Sequence, residues 1–211
     1  MTVTISPVAL LNGNSGALED AELWDAITDK QLADWEGAWI PELFGALKRF
    51  REANVPYKEW PQSRHWDWRK KTEAFQGYLA YPCVSLMCGG MTQGMMILDT
   101  TTKKGRLSSQ AGADLIYVEY VEAAPWNRKA LGFNPPRYRG VGRILIRAAI
   151  EWSKNEDFKG RIGLHSLPQA NDFYARIGMT DLGEDAGYKN LRYFEMSPQQ
   201  AEEFIQRGGQ P

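Results

Sequence analysis

The chain has 211 residues, a formal net charge of -1 and a hydrophobic fraction of 43%, which is enough apolar material for a packed core and excludes a disordered chain. The near-neutral charge gives no general reason to expect nucleic acid or an anionic membrane as a partner. The sequence shows neither a signal peptide nor an apolar run of the ~20 residues that a spanning helix needs, so we expect a soluble, cytoplasmic protein without a membrane partner.

Turn residues and apolar periodicity divide the first part of the chain. Residues 6–11 predict a strand that ends in the turn-forming cluster at 12–16. Apolar residues between 18 and 27 recur near one helical face, with acidic residues at the start, and predict a helix. A second helical pattern covers 30–53, and we expect Pro41 to break or kink it because proline cannot donate the helical hydrogen bond.

Tryptophans and cations are concentrated in residues 64–71. Such a segment can bind an anionic or aromatic partner through charge and cation–π contacts. The alternative is a helix whose tryptophans pack inward while its cations face solvent, which is the commoner meaning of aromatic residues at helical spacing. His65 is a candidate base or ligand only because of its pKa range, and a structural role is the alternative.

Two apolar runs around Gly89-Gly90 predict a β-hairpin between residues 78 and 99. It contains both cysteines, Cys83 and Cys88, which are five residues apart and therefore face opposite sides of a strand. We expect two reduced, buried thiols and no disulfide. The hairpin methionines either fill gaps in the core or line an adaptable binding surface; they are Met87, Met91, Met95 and Met96. Residues 100–112 predict a loop.

A strand is predicted at residues 114–122, and it carries two glutamates. Strict alternation places Glu119 on the same side as Tyr117 and Val121, and Glu122 on the other. A carboxylate within an apolar strand is costly unless it is exposed or paired. Burial would raise the pKa of Glu119 towards neutrality and suit it to accept a proton, the alternative being an arginine partner or a wet edge. Glu122, nearer the strand end, is the second candidate.

The pattern Arg-x-x-Gly-x-Gly spans residues 137–142, between this strand and an amphipathic helix predicted at 140–154. The preceding loop, 125–136, is long enough to be either functional or mobile. Free amides at a helix start, together with the helix dipole, favour a phosphate or pyrophosphate. The Walker A pattern is absent, and Leu145 stands where the Rossmann fingerprint needs its third glycine.

The remaining elements are short. Residues 161–166 predict a strand, 170–177 a helix that Gly178 ends, and 191–196 a final strand. Ser197 and Pro198 predict the start of a terminal helix, as its cap and first residue. This order argues for an α/β or α+β sheet with helical cover.

Two motifs in this order resemble the Gcn5-related N-acetyltransferases (GNAT superfamily). Residues 137–142 resemble the family's acetyl-CoA-binding signature. Residues 170–179, Ala-Asn-Asp-Phe-Tyr-Ala-Arg-Ile-Gly-Met, resemble its segment of an aromatic residue, Tyr, a basic residue and Leu-Gly-Phe. The resemblance implies a single GNAT domain over 1–211 with a mixed central sheet flanked by helices. Residues 1–77 would be a variable, largely helical elaboration on the acceptor side, and 78–211 the hairpin and acetyl-CoA-binding core.

The resemblance also implies roles. Tyr174 would be the general acid that protonates the departing CoA thiolate, and Glu119 or Glu122 would deprotonate the incoming amine. The family's asparagine after the fifth strand has no match near Leu167, so Ser166 or Asn171 would make that contact. Acetyl-CoA binding is assigned to Val121, Ala123, Arg137, Arg139, Gly140, Val141, Gly142, Arg143, Asn171 and Tyr174.

The implied activity is transfer of an acetyl group from acetyl-CoA to a primary amine, by direct attack in a ternary complex and without a metal. One alternative is a non-catalytic acyl-CoA sensor on the same fold. Others are a transferase acting on a protein or aminoacyl-tRNA amine, and a nucleic-acid module built on residues 64–71, which would show strong salt dependence. The identity of the amine stays open, as does assembly into a homodimer.

Overall fold

Nine strands pair edge to edge in the computed structural model, which describes residues 3–207, and six helices accompany them in that range. The strands are β1 (Ile5–Asn12), β2 (Leu18–Trp24), β3 (Cys83–Cys88), β4 (Met91–Asp99), β5 (Ile116–Ala123), β6 (Tyr138–Arg139), β7 (Ile162–Ser166), β8 (Thr180–Asp185) and β9 (Leu191–Met196). The helices are α1 (Asp29–Asp34), α2 (Ile40–Glu52), α3 (Trp68–Phe75), α4 (Val141–Asn155), α5 (Asn171–Arg176) and α6 (Pro198–Gln206).

The strand order is β6-β1-β2-β3-β4-β5-β7-β9-β8. Every neighbouring pair is antiparallel except β5 and β7, which are parallel. The expected mixed sheet with flanking helices is therefore confirmed. Between residues 3 and 207, no helix is long and apolar enough to cross a membrane.

The helix predicted for residues 18–27 is wrong, because 18–24 form β2, the second strand of a hairpin. The side chain of Asn12 closes the turn by accepting hydrogen bonds from the backbone N–H groups of Asn14 and Ser15. Strand β2 then pairs with β1 from Leu11↔Leu18 to Ile5↔Trp24. Leu18, which helped to suggest a helical face, is 67% exposed.

The helical pattern predicted at 30–53 is present and interrupted. Helix α1 opens with a capping box made by Thr28 and Gln31. A single π-helical turn, Trp35–Trp39, follows and leads directly into α2, with Pro41 in the first turn of α2, where proline is tolerated. Trp39 is buried and its indole N–H donates to the carbonyl of Thr92, 3.0 Å away, which fastens this segment to β4.

The sheet separates two apolar clusters. Helix α4 packs on one face, where Met96 and Cys88 lie, while Trp39 and Trp68 pack on the other face with Met95. Cys83 packs on the same side as Met95, so the two cysteines face opposite ways, as predicted, and both are free. Cys88 is buried as expected, whereas Cys83 is only partly buried. Met87 is buried as well, which supports the gap-filling interpretation of the methionines.

The later elements match their predictions, with one omission. Strand β7, helix α5, strand β9 and helix α6 lie where expected, and Ser197 caps α6 through a capping box with Gln200. Strand β8 was not predicted. It carries exposed side chains and pairs only with β9, at the edge of the sheet, so its sequence has little of the apolar alternation that marks a half-buried strand.

Candidate active site

Strands β5 and β7 diverge, and this opens the sheet. They pair in parallel only at Ile116↔Ile162 and Tyr117↔Gly163. Strand β7 continues to pair with β9 as far as Ser166, so the remainder of β5 has no partner on that edge. A cavity of about 630 Å³ lies at the α4 side of this gap, and one of about 720 Å³ lies beyond it. We call them the cofactor cavity and the acceptor cavity, after the roles that the sequence resemblance implies.

A β-bulge in β5 corrects the predicted alternation. Leu98 pairs with Val118 and Ile97 with Tyr120, which leaves Glu119 as the extra residue. The faces therefore exchange after Glu119. Val121 packs against the α4 cluster together with Val118, while Tyr120 packs on the opposite side. The bulge turns Glu119 into the acceptor cavity.

The start of α4 has the properties of an anion site. Gly140 precedes the helix with φ +90°, a left-handed conformation that favours glycine, and no side chain caps the helix. Ile144 donates the first helical hydrogen bond, to the carbonyl of Gly140, so the amides of Val141, Gly142 and Arg143 have no partner within the helix. A Cβ atom on Gly142 would lie 3.1 Å from Phe173 Cζ, so a side chain there would crowd the cofactor cavity.

The segment 137–139 is held from two directions. Strand β6 pairs with the end of β1 through Leu11↔Arg139 and Asn12↔Tyr138. On its other side, Arg137 N–H donates to the carbonyl of Trp126, and Tyr138 N–H donates to Asn127 Oδ1, each over 2.9 Å. The Asn127 amide in turn donates to Gln93 Oε1 at 2.9 Å, and Gln93 is completely buried in β4.

Most of the predicted cofactor residues surround the cofactor cavity. Those lining it are Val121, Ala123, Arg139, Gly140, Val141, Gly142 and Tyr174. Arg128, Lys129 and Arg176 also line it and were not predicted. Arg176 lies within the second motif and Arg128 within the long loop. Their positive charge was the sequence signal that could have marked them as residues of the cofactor cavity. Together with Arg139 they give the cavity cationic walls that suit a phosphorylated ligand.

Three of the predicted cofactor residues lie elsewhere. The guanidinium of Arg143 stacks on Phe204, 4.9 Å from the ring centroid, and that of Arg137 lies 5.7 Å from the ring centroid of Tyr138. Asn171 does not line either cavity, although its Oδ1 is buried without a hydrogen-bond partner. The hydroxyl of Ser166 donates to the carbonyl of Leu167 at 2.9 Å and is thereby engaged within the chain.

Tyr174 lies where the two cavities meet, since it lines both of them, as Val121, Leu167 and Ala170 also do. The residue is buried, and burial alone raises the pKa of its phenol. The group therefore stays protonated throughout the neutral pH range, which is the state that a proton donor needs.

The two glutamates of β5 have different surroundings. Burial raises the pKa of Glu119, against the opposing influence of Lys103 and Lys71. Glu122 accepts from the indole N–H of Trp68 at 2.8 Å and from Arg128 Nη1 at 3.0 Å. An arginine partner is the alternative predicted above for Glu119, but in the structure it is Glu122 that pairs with an arginine, Arg128. Glu119 is the glutamate that lines the acceptor cavity, and burial shifts its pKa upwards, the direction that favours accepting a proton.

Some side chains of residues 64–71 pack in the core, and others line the acceptor cavity. Trp68 is completely buried at the start of α3, and Arg69 pairs with Glu36. Lys71 lines the acceptor cavity, where burial lowers its pKa to about 8. His65 is exposed at the rim of the same cavity.

A hydrogen-bonded chain that sequence reasoning missed forms the far wall of the acceptor cavity. Burial lowers the pKa of His165, so its ring is neutral at pH 7. Its Nε2–H donates to Asp185 Oδ2 at 3.0 Å because a carboxylate only accepts, and Nδ1 then accepts from the Tyr117 hydroxyl at 2.7 Å. Tyr188 stacks on the His165 ring at 3.7 Å. These residues come from three strands and a turn, so no local motif indicates them.

The comparisons with known proteins bear on the fold. No protein-family model and no curated protein matches the sequence. Among solved structures, the chain is similar to an uncharacterized protein (bh2621) from Bacillus halodurans, with 10% identity, a TM-score of 0.57, and coverage of 97% of this chain and 96% of the other. It is similar to the GNAT domain of S. lividans PAT, with 14% identity, a TM-score of 0.53 and coverage of 91% and 96%.

A third similar structure is Mycobacterium smegmatis RimJ in complex with CoA-disulfide, with 11% identity, a TM-score of 0.52, and coverage of 98% of this chain and 95% of the other. At sequence identities this low, the structural similarity supports a shared fold but does not identify the substrate. The divergent β5 and β7, the glycine-led α4 and the similarity to the GNAT domain of PAT lead to one conclusion. The chain has the GNAT fold.

Proposed function

We propose that this protein is an acyl-CoA-dependent N-acyltransferase that moves an acetyl group from acetyl-CoA to a primary amine. The observation that carries the proposal is the meeting of two cavities at Tyr174, in the gap between β5 and β7. Such an arrangement lets two substrates enter from opposite sides and react at one point. The similar RimJ structure is described as a complex with CoA-disulfide, which supports a CoA-type ligand for this fold.

The residues present fit coenzyme A. The amides of Val141 and Gly142, together with the cations Arg128, Arg139 and Arg176, would hold the pyrophosphate. The free edge of β5 would offer the backbone groups of Val121 and Ala123 to the pantetheine amides. Bound acetyl-CoA supplies the acetyl group as a thioester.

The acid–base chemistry falls to two side chains. Glu119 would take a proton from the acceptor ammonium, directly or through a water molecule, and so free the amine for attack on the thioester carbonyl. A new C–N bond then forms and the C–S bond breaks. Tyr174 would give its proton to the departing sulfur, and its raised pKa keeps that proton available. The second proton, which the nitrogen loses as it becomes an amide, would restore the phenol, directly or through water.

Tyr174→Phe tests the proposal, because it removes one oxygen atom and leaves the ring that packs near Phe173 and Phe194. We expect release of free CoA thiol to slow by a factor of roughly 10² to 10⁴, with CoA affinity by calorimetry unchanged. The matched control is Tyr193→Phe, since Tyr193 is buried on β9 and lines neither cavity.

Two outcomes would refute the proposal in different ways. CoA binding without turnover of any amine, across amino acids, polyamines, aminoglycosides, peptides and charged tRNA, would favour the acyl-CoA sensor. Failure to bind CoA even at millimolar excess would refute both the transferase and the acyl-CoA sensor. Turnover of a peptide or a charged tRNA alone would assign the activity to a protein or aminoacyl-tRNA amine.

A further inference from the structure

The acceptor cavity has an unbalanced charge. Its lining includes the cations Arg64, Lys71 and Lys189, and Glu119 is the one carboxylate among the described residues that line it. None of the three cations forms a salt bridge within the part of the chain that is described, whereas the neighbouring Lys70 and Arg69 pair with Asp67 and Glu36. A cleft lined mainly by one sign of charge concentrates ligands of the opposite sign.

Aromatic rings also line this cavity, and their faces could in principle attract a cationic acceptor. The chain already places its own cations on those faces. Lys71 Nζ lies 3.2 Å from the ring centroid of Tyr120 and 4.7 Å from that of Trp66. Lys103 Nζ lies 5.6 Å from the centroid of Tyr117 and 5.2 Å from that of Tyr188.

Arg64 also lies over an aromatic ring, that of Tyr57 outside the cavity lining, with its Cζ 4.2 Å from the ring centroid. Four of the aromatic rings that line the cavity therefore already have a cation of the chain itself over them. An acceptor with several positive charges would meet three lysine or arginine groups and find a single carboxylate, Glu119, to offset them. Like charges in such proximity raise the cost of binding.

Resting on the proposed function, we infer that the acceptor is a small amine that also carries an anionic group, a carboxylate or a phosphate. Its ammonium faces Glu119 and its anionic group is held by Lys71, with Arg64 and Lys189 nearby. Lysine suits this task because its ammonium is a mobile point charge on a flexible stem, and it can leave the rings of Tyr120 and Trp66 to meet the anion. Polyamines and aminoglycosides are excluded by the same charges.

The test uses pairs of acceptors that differ only in the anionic group: tyrosine against tyramine, and O-phosphoethanolamine against ethanolamine. Spermidine and kanamycin serve as polycations. We expect kcat/KM, from CoA thiol release, to be at least tenfold higher for the anionic member of a pair, and the pair with the larger ratio tells whether the group is carboxylate or phosphate. Equal rates within both pairs, or a preference for the polycations, would overturn the inference and leave the transferase standing.

The variant Lys71→Met tests whether the preference for an anionic acceptor depends on Lys71. The variant should lose the preference for the anionic acceptor through a higher KM for that acceptor, so that the ratio of kcat/KM within each pair falls towards one. Lys70→Met is the matched control, because Lys70 is exposed, lines neither cavity and already pairs with Asp67. If Lys71→Met unfolds, Lys189→Met addresses the same cavity from the opposite wall. Preference retained in both variants would refute the assignment.

A binding measurement separates this inference from the proposed function. The anionic amines are titrated into the protein saturated with CoA. Binding that Lys71→Met weakens, without turnover, would refute acyl transfer and support the charge assignment. Equal turnover of the two members of each acceptor pair, in the unchanged protein and in Lys71→Met alike, would support acyl transfer and refute the charge assignment.

Discussion

Replacing the two glutamates of β5 by glutamine, one at a time, separates a catalytic base from a structural ion pair. Glu119→Gln removes the proton acceptor and should lower kcat/KM by a factor of roughly 10² to 10⁴. It should not lower stability at pH 7. Burial raises the folded pKa of Glu119, so any stability it contributes is present below about pH 4.5 and is lost as pH rises through the folded pKa.

Glu122→Gln should show the opposite pattern, and the contacts of Glu122 set the magnitude. The amide can still accept one hydrogen bond from Trp68, but Arg128 loses its charged partner at 3.0 Å, in a pair whose side chains are 9% and 20% exposed. A hydrogen bond to a charged group contributes about 1.5–3 kcal/mol. We expect a loss of about 2 kcal/mol, which is a fall in Tm of roughly 4–8 °C for a domain of this size.

Two measurements on each variant decide the matter: the rate of CoA thiol release over a range of pH, and the thermal midpoint at pH 7. In the unchanged protein kcat/KM should rise with pH through a pKa above the ordinary glutamate value, and Glu119→Gln should remove that rise. Full activity in Glu119→Gln, combined with inactivity in Glu122→Gln at unchanged Tm, would refute the assignment of the base.

Three further predictions concern packing and charge. Gly94→Ala would place a Cβ 2.8 Å from Val141 Cγ1, so unfolding in urea should show a loss of about 1–3 kcal/mol, together with weaker CoA binding; equal stability would contradict it. Ser197→Ala removes the cap of α6 and should cost about 1 kcal/mol by the same method, whereas no change would mean that water replaces the cap. Burial lowers the pKa of Lys71 to about 8, so folding disfavours its charged form and Lys71→Met should stabilise the protein at pH 7. That gain should fade as pH rises through 8 towards 10.5, where the unfolded lysine also loses its proton, and Lys70→Met should give no such pH dependence.

The cofactor end of the site could be predicted from the sequence because it is local. The glycines before α4 and the segment around Tyr174 are contiguous patterns, and each carries its chemistry within a few residues. Helix caps such as Thr28 and Ser197 are equally local. The acceptor end could not be predicted in this way, because Lys71, Glu119, His165 and Tyr188 come from four separate parts of the chain.

Two predictions were wrong, the side-chain alternation along β5 and the helix at residues 18–27, and sequence periodicity cannot detect the physical cause of either. The β-bulge at Glu119 shifts the register by one residue, and a period-2 pattern has no means of signalling an inserted residue. Strand β2 was misread as a helix because Leu18 is apolar yet exposed, and the Asn12 turn that commits it to a hairpin lies outside the window.

The pairing of β6 with β1 gives the opening residues of the protein an influence over a motif they do not contain. Gly13 N–H donates to the carbonyl of Arg137 at 2.8 Å, and a Cβ on Gly13 would lie 1.8 Å from the Pro136 oxygen. The final shape of the loop ahead of α4 therefore depends on contacts with a strand more than 120 residues away in sequence. Substitutions at Leu11, Asn12 or Gly13 should therefore weaken the binding of coenzyme A, although none of these residues belongs to the motif.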